Sequence, residues 1–430
     1  MKRIGYIAVY LCLFCLLWFG WNDCCYGKET VVVIDPGHGG DNKGGEFEQY
    51  TEKYMDMEVA EYIVERLSEY DGVSVYLTHD DTETKDLTRK ERATIANDAD
   101  ADFLISVHFN MSMNHNLYGT EIWTSAFSPY YYDGYRLGEI ILEKNVEQLG
   151  LFNRGIKTRI SDKTNKDYYG IIQNGVANGI PTIIIEHCHI DEERDREILK
   201  QADVLKNFGY NDADAIAEYF GLSSSKLGIL NEVRKNTDIE STEDIIYPDT
   251  EKPHFVCAAI DTIDYDNNIA YIKLEATDNG SGLQYYAYCE NRDDENVKLY
   301  PWNDDIDALY PTDNNQILVS IPLENTDKEL YFAVYDKYDN RLTAEEVTVI
   351  PAIKTIDARE NELNSDNEQN IVEITNSSDE KEDAKKNFNI VDAVIVCLLV
   401  IIAIASTVVL VYICRLDRIR KRKRKNVKRD

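Results

Sequence analysis

The sequence predicts an α/β domain with a largely parallel central sheet flanked by helices, followed by an all-β sandwich and a single transmembrane helix. Three observations predict this order. Between residues 30 and 220, short apolar runs alternate with segments of helical periodicity, the signature of layered α/β domains. From about 253 to 351 the pattern changes to short runs of period two separated by Asp, Asn and Gly turns, as in β-sandwiches. Residues 393–414 carry no charge, and at ~1.5 Å per helical residue they cover a ~30 Å hydrocarbon core.

The first strand is read from VVVI at 31–34, four β-branched residues suited to a position buried on both faces. Pro36 has no N–H to donate and ends the ladder, and Gly37, Gly39 and Gly40 allow a sharp turn around His38. Residues 55–70 place Val59, Ala60, Ile63, Val64 and Leu67 on one helical face. A strand is expected at 73–77, a helix at 87–97, and a buried strand at 103–107 ending at His108. A further strand follows at 119–123. A helix is expected at 135–149, with Leu137, Ile140, Ile141 and Leu149 on its apolar face. Pro181 opens a strand at 182–185 ending at Glu186, and 191–199 and 213–220 read as closing helices.

The boundaries that follow are 28–222 for the α/β domain, 223–250 for a polar linker and 251–355 for the sandwich. Strands are expected in the sandwich at 271–276, 284–288, 317–321, 329–335 and 347–350. Cys257 and Cys289 both fall in it, and spacing alone leaves their pairing open. Residues 356–388 are acidic with few large apolar side chains. They cannot bury enough surface to offset ordering entropy and read as a disordered stalk.

The formal net charge is −32, yet residues 415–430 hold ten Lys/Arg against two Asp, so the remainder carries 36 basic and 76 acidic residues, a net of −40. Such a body is no nucleic-acid binder, because phosphate contact needs a basic surface. The nine cysteines show no paired CxxC spacing, which excludes a structural zinc ribbon. Lys2 and Arg3 precede an apolar run at 4–21 and Gly27 follows, so 1–27 reads as a signal peptide or N-terminal anchor. Residues 389–414 read as the transmembrane helix and the basic tail 415–430 as its cytoplasmic end. The expected location is the cell membrane, single-pass, with both folded domains extracytoplasmic.

His38, His108 and Glu186 are all expected at carboxyl ends of strands, where open α/β sheets bind ligands, and Glu52 lies just before the first long helix. Two imidazoles and a carboxylate suit a divalent metal. Zinc held by His₂Glu keeps a position for water and lowers its pKa towards ~7, while a separate carboxylate moves the proton. Each residue also has a structural reading. His38 can hydrogen-bond within its turn, Glu52 can be a surface acid, His108 a satisfied core histidine, and Glu186 a helix cap.

The ordered segments IDPGHGG, TEKYMDMEVA, SVHFN and IPTIIIEH resemble the zinc-dependent N-acetylmuramoyl-L-alanine amidases of the amidase_3 type, over roughly residues 31–220. The resemblance implies that His38, Glu52 and His108 bind Zn²⁺ and that Glu186 is the catalytic acid/base. It implies hydrolysis of the amide between N-acetylmuramic acid and L-alanine in peptidoglycan. LTRKERATIAND is similar to the helix preceding the SVHFN strand, with Arg92, Ala96 and Asn97 in place, and Gly119 and Glu121 match a G-x-E segment whose role stays open. ATDNGSGLQYYAY and YFAVYDKYDNR resemble bacterial immunoglobulin-like modules, which implies a spacer or an element with a wall or protein ligand.

There are departures: the loop DNKGGEFEQY, His79 where many members carry arginine, and HCHID after Glu186. His187, His189 and Cys188 are expected to be structural. Two rival readings remain: a catalytically inactive, peptidoglycan-binding amidase-like module, and a non-haem iron site built from the same triad. The presence of Glu186 as a ready base argues against iron.

Overall fold

The computed structural model describes residues 28–80, 85–231, 243–303 and 315–353, apart from the side chains of Phe255 and Val256. The expected signal peptide or anchor, acidic stalk, transmembrane helix and basic tail lie outside the described residues. Among the described residues no helix is long and apolar enough to cross a membrane.

The chain opens with β1 (Thr30–Pro36) and a short hairpin, β2 (Glu46–Phe47) and β3 (Tyr50–Thr51). Next come α1 (Glu52–Leu67), β4 (Val73–Leu77), α2 (Arg89–Asp98), β5 (Phe103–Asn110), β6 (Thr120–Thr124), α3 (Tyr130–Leu149) and β7 (Asn153–Lys157). The domain closes with α4 (Gly170–Ala177), β8 (Thr182–His189), α5 (Glu193–Leu199) and α6 (Val204–Phe220). Six strands form one sheet in the order β4-β1-β5-β8-β6-β7. Val32, Val33 and Ile34 are fully buried, as expected of a central strand covered on both sides. On one side Val32 and Ile34 pack with Val59, Ile63 and Leu67 of α1. On the other, Val33 packs with Ala93 and Ala96 of α2 and Ile171 and Ile172 of α4.

The sheet is mixed. β1, β4, β5 and β8 run parallel, but β6 pairs antiparallel with β8 and carries β7 with it. The cause is chain length. Only residues 111–119 join β5 to β6, too few for the dozen or more that a parallel crossover needs, so the chain turns back at the same edge.

Several ends differ from expectation. β5 continues past His108 to Asn110 and β8 past Glu186 to His189, so both residues sit inside strands. Glu52 is the first residue of α1 rather than a loop residue before it. β7 and α4 escaped the sequence reading because NRGIK has no apolar run and α4 spans only eight residues.

The C-terminal module is two antiparallel sheets around one core. One holds β9 (His254–Asp264), β10 (Ile269–Thr277) and β13 (Gln316–Pro322). The other holds β11 (Leu283–Cys289), β12 (Tyr300–Pro301), β14 (Lys328–Asp336) and β15 (Arg341–Thr343), with β16 (Thr348–Ile350) paired to β14. Strict alternation along β10 sends Ala270, Ile272, Leu274 and Ala276 inward against Phe332 and Val334. Cys257 and Cys289 are both free thiols, one on each sheet.

The two modules share a buried interface. Tyr118 and Phe152 of the α/β domain pack with Tyr285, Ala287, Val297 and Tyr335 of the sandwich. Arg154 on β7, fully buried, reaches Tyr285 Oη at 2.9 Å and Asp339 Oδ2 at 2.8 Å. Tyr285 Oη in turn donates to the Tyr118 carbonyl at 2.6 Å.

Candidate active site

His38 leaves the end of β1 with φ 61°, in the left-handed region that few non-glycine residues occupy. The turn is held by Arg92 of α2, whose five N–H donors are all committed. Nε donates to the Leu87 carbonyl at 2.9 Å. Nη1 donates to Asp35 at 2.8 Å and to the Pro36 carbonyl at 2.6 Å. Nη2 donates to the His38 carbonyl and, at 3.0 Å, to Asp86. Asp35 also accepts from Thr78 and Ser106, which ties the turn to both flanking strands. Asn42 Oδ1 lies 3.1 Å from His38 Nδ1 and also accepts from Gly44 N–H. That contact leaves Nε2 as the ring nitrogen facing Glu52 and the cavity.

Glu52 is drawn to its place by the hairpin before α1, since Gly45 N–H donates to its Oε2 at 2.7 Å. Its Oε1 is 3.0 Å from His38 Nε2 and 3.0 Å from His108 Nδ1. Burial alone would raise this carboxyl, but the hydrogen bonds from His108 and His38 outweigh it and hold the pKa at about 2. The structure thus brings three of the four expected residues into one cluster. It adds Asp56, one turn along α1: His38, Glu52, Asp56 and His108 each offer a ligand atom, all within 4.8 Å of one another. A nitrogen-and-carboxylate donor set of this kind fits a divalent transition metal.

Glu186, on β8 beside His108 on β5, lines the same cavity of about 650 Å³. Its Oε2 is buried and has no hydrogen-bond partner. Burial, then the charges of Glu52 and Glu121, push its pKa well above the ordinary carboxylate range. Such a carboxyl, beside the ligand cluster and with one oxygen free of partners, can accept and return a proton. Asn42, Asp86, Arg89, Met111, Tyr168 and Tyr169 line the same cavity.

The other residues singled out in the sequence do different work. Glu121, the acid of the G-x-E segment, is buried and accepts from Asn110, Trp123, Arg154 and Lys157. His187 is fully buried. It sits 2.7 Å from Asp212, contacts the His108 carbonyl at 3.1 Å and stacks on Phe109. His189 lies 3.3 Å from the Gly119 carbonyl, and Cys188 is packed in the core. Asp56 was legible as the i+4 neighbour of Glu52. Arg154 carried no local signal, because its partners lie 131 and 185 residues away.

Residues 32–218 match the family described as Amidase_3, N-acetylmuramoyl-L-alanine amidase. N-acetylmuramoyl-L-alanine amidase CwlM of Bacillus licheniformis is 26% identical over 202 residues, covering 45% of this chain and 70% of that protein. N-acetylmuramoyl-L-alanine amidase LytC of Bacillus subtilis (strain 168) is 28% identical over 179 residues, covering 40% of this chain and 32% of that protein. Among solved structures, Cwp6 from Clostridium difficile superposes with a TM-score of 0.40 at 31% identity, over 44% of this chain and 28% of that chain. The catalytic domain of CwlV, N-acetylmuramoyl-L-alanine amidase from Bacillus (Paenibacillus) polymyxa var. colistinus, gives a TM-score of 0.38 at 23% identity, over 44% of this chain and 98% of that chain. Residues 32–218 are thus similar to the Amidase_3 family, and these matches support the enzyme class of the N-acetylmuramoyl-L-alanine amidases.

Proposed function

We propose that this peptidoglycan amidase is zinc-dependent and membrane-anchored, and that it cuts the bond between N-acetylmuramic acid and L-alanine outside the cell during wall remodelling. The observation that carries the metal reading is the convergence of His38 Nε2 and His108 Nδ1 on one oxygen of Glu52, with Glu186 beside them and its Oε2 without a partner. His38, Glu52 and His108 would hold the ion. Bound there, zinc supplies Lewis acidity and water acidified towards pKa ~7. Glu186 takes the proton of the attacking water and delivers it to the leaving nitrogen, a role suited to a carboxyl that binds protons readily. Arg92, through the Pro36 and His38 carbonyls, keeps the first histidine in place while this happens.

The anchor reading rests on sequence: a charge-free span at 393–414 followed directly by a Lys/Arg cluster, which belongs on the cytoplasmic side. The sandwich is read as immunoglobulin-like from its motifs, and its two antiparallel sheets around one core support that reading. Through the Arg154 contacts it acts as a fixed extension of the amidase domain towards a wall or protein ligand.

The test is digestion of purified cell wall by the full chain, with mass spectrometry of the products and metal analysis of the protein. Free stem peptides beginning with L-alanine, and about one zinc per chain, are expected. Wall binding without peptide release would establish the inactive-module alternative. Recovery of the protein in the soluble fraction, or protection of the amidase domain from external protease, would remove the anchor.

A further inference from the structure

Asp56 is fully buried, and neither of its carboxylate oxygens has a hydrogen-bond partner. An isolated buried carboxylate costs several kcal/mol, so a fold that keeps one supplies a counter-charge or a proton. The cation that acts on it through space is Arg92, whose five donors are all spent on Asp35, Asp86 and three carbonyls. The other charges acting on Asp56 are the carboxylates Glu52, Glu186 and Asp35, which deepen the deficit of positive charge.

Its position is specific. Asp56 follows Glu52 by four residues on α1, so both project from the same face of the helix. Asp56 Oδ2 and the edge of the His108 ring both lie against Gly37, so closely that a Cβ on that glycine would fall on the two of them. Asp56 offers an oxygen within 4.8 Å of the ligand atoms of His38, Glu52 and His108.

We propose that Asp56 is a fourth protein ligand of the ion, making a site of two histidines and two carboxylates instead of two histidines and one. This inference rests on the metal reading above. With a fourth protein ligand and a water together, the ion would be five-coordinate, where three protein ligands and a water make it four-coordinate and tetrahedral. The second carboxylate also makes the site more hospitable to ions that prefer oxygen donors, such as Mn²⁺. The absent Cβ of Gly37 is then a requirement of the site, because it lets the carboxylate and the imidazole close on one another.

The experiment uses the full chain, its Asp56→Asn variant and, as a second replacement, Asp56→Ala, with folding checked by thermal melting. Zn²⁺ affinity is measured by competition with a chromogenic chelator, and each protein is loaded with Co²⁺ for visible absorption. The wild type is expected to show the weak d–d bands of five-coordinate Co²⁺. Asp56→Asn is expected to show the stronger bands of a tetrahedral ion, and Zn²⁺ binding weaker by at least about tenfold, or 1.4 kcal/mol. Tetrahedral bands already in the wild type would overturn the proposal whether or not either variant folds. So would a variant spectrum identical to the wild type's, even with weakened affinity, since that is the mark of a residue orienting another ligand. A wild type that binds neither Zn²⁺ nor Co²⁺ would overturn the metal reading itself, a result distinct from the others.

Discussion

Glu121 and Glu186 stand opposite one another across the antiparallel β6–β8 ladder, and their surroundings drive their protonation in opposite directions. Both are buried enough for desolvation to raise them. For Glu121 the charges of Lys157, Arg154 and His189 outweigh burial and hold it far below its usual 4.5. For Glu186 nothing opposes burial, and Glu52 and Glu121 add to it. Two acids on neighbouring strands are thus driven apart, one towards its anion and the other towards its protonated form.

Glu186→Gln keeps the shape and removes the proton carrier. Hydrolysis should fall by about 10²- to 10⁴-fold with zinc stoichiometry unchanged. Stem-peptide release and metal analysis on the same preparation check both halves, and turnover at the wild-type rate would remove the residue from its role.

His108→Ala should lose the metal, because it removes one of the site's two nitrogen donors, and the carboxylates left beside His38 hold zinc too weakly to compete with a chelator. Full zinc occupancy after dialysis would exclude His108 as a ligand. The wild type stripped by the same chelator should regain peptide release when Zn²⁺ is returned.

Glu121→Gln leaves Arg154 and Lys157 buried without their shared anion and should cost about 3–5 kcal/mol at neutral pH. The sign of its pH dependence follows from the depressed pKa. The carboxylate's contribution is complete above the usual 4.5 and is lost as pH falls from there towards the lower folded value. The gap in melting temperature between wild type and variant should therefore be widest at neutral pH and shrink below pH 4.5. A gap that widens on acidification would contradict this.

Arg154→Ala should loosen the sandwich from the amidase domain, since it takes one of two cations from Glu121 and removes the bonds to Tyr285 and Asp339. Limited proteolysis should then cut between the modules faster than in the wild type, and the melt should separate into two transitions. One unchanged cooperative transition would show that the apolar contacts around Tyr118 and Phe152 suffice alone.

The local pattern determined a good deal. The β-branched run of β1, the helical spacing of α1 and the period-two strands of the sandwich each declare their conformation within a few residues. His38, Glu52 and His108, named from the sequence, do converge. What the sequence did not declare depends on partners far along the chain. β6 runs antiparallel because its connection from β5 is short, and Arg92 supports the His38 turn from 54 residues away. Arg154 joins two modules across 131 and 185 residues, and the i+4 spacing of Asp56 from Glu52 gains meaning from its burial and lack of partners. Periodicity is a property of neighbours in sequence, whereas charge compensation and desolvation are properties of neighbours in space, and those the folded chain alone brings together.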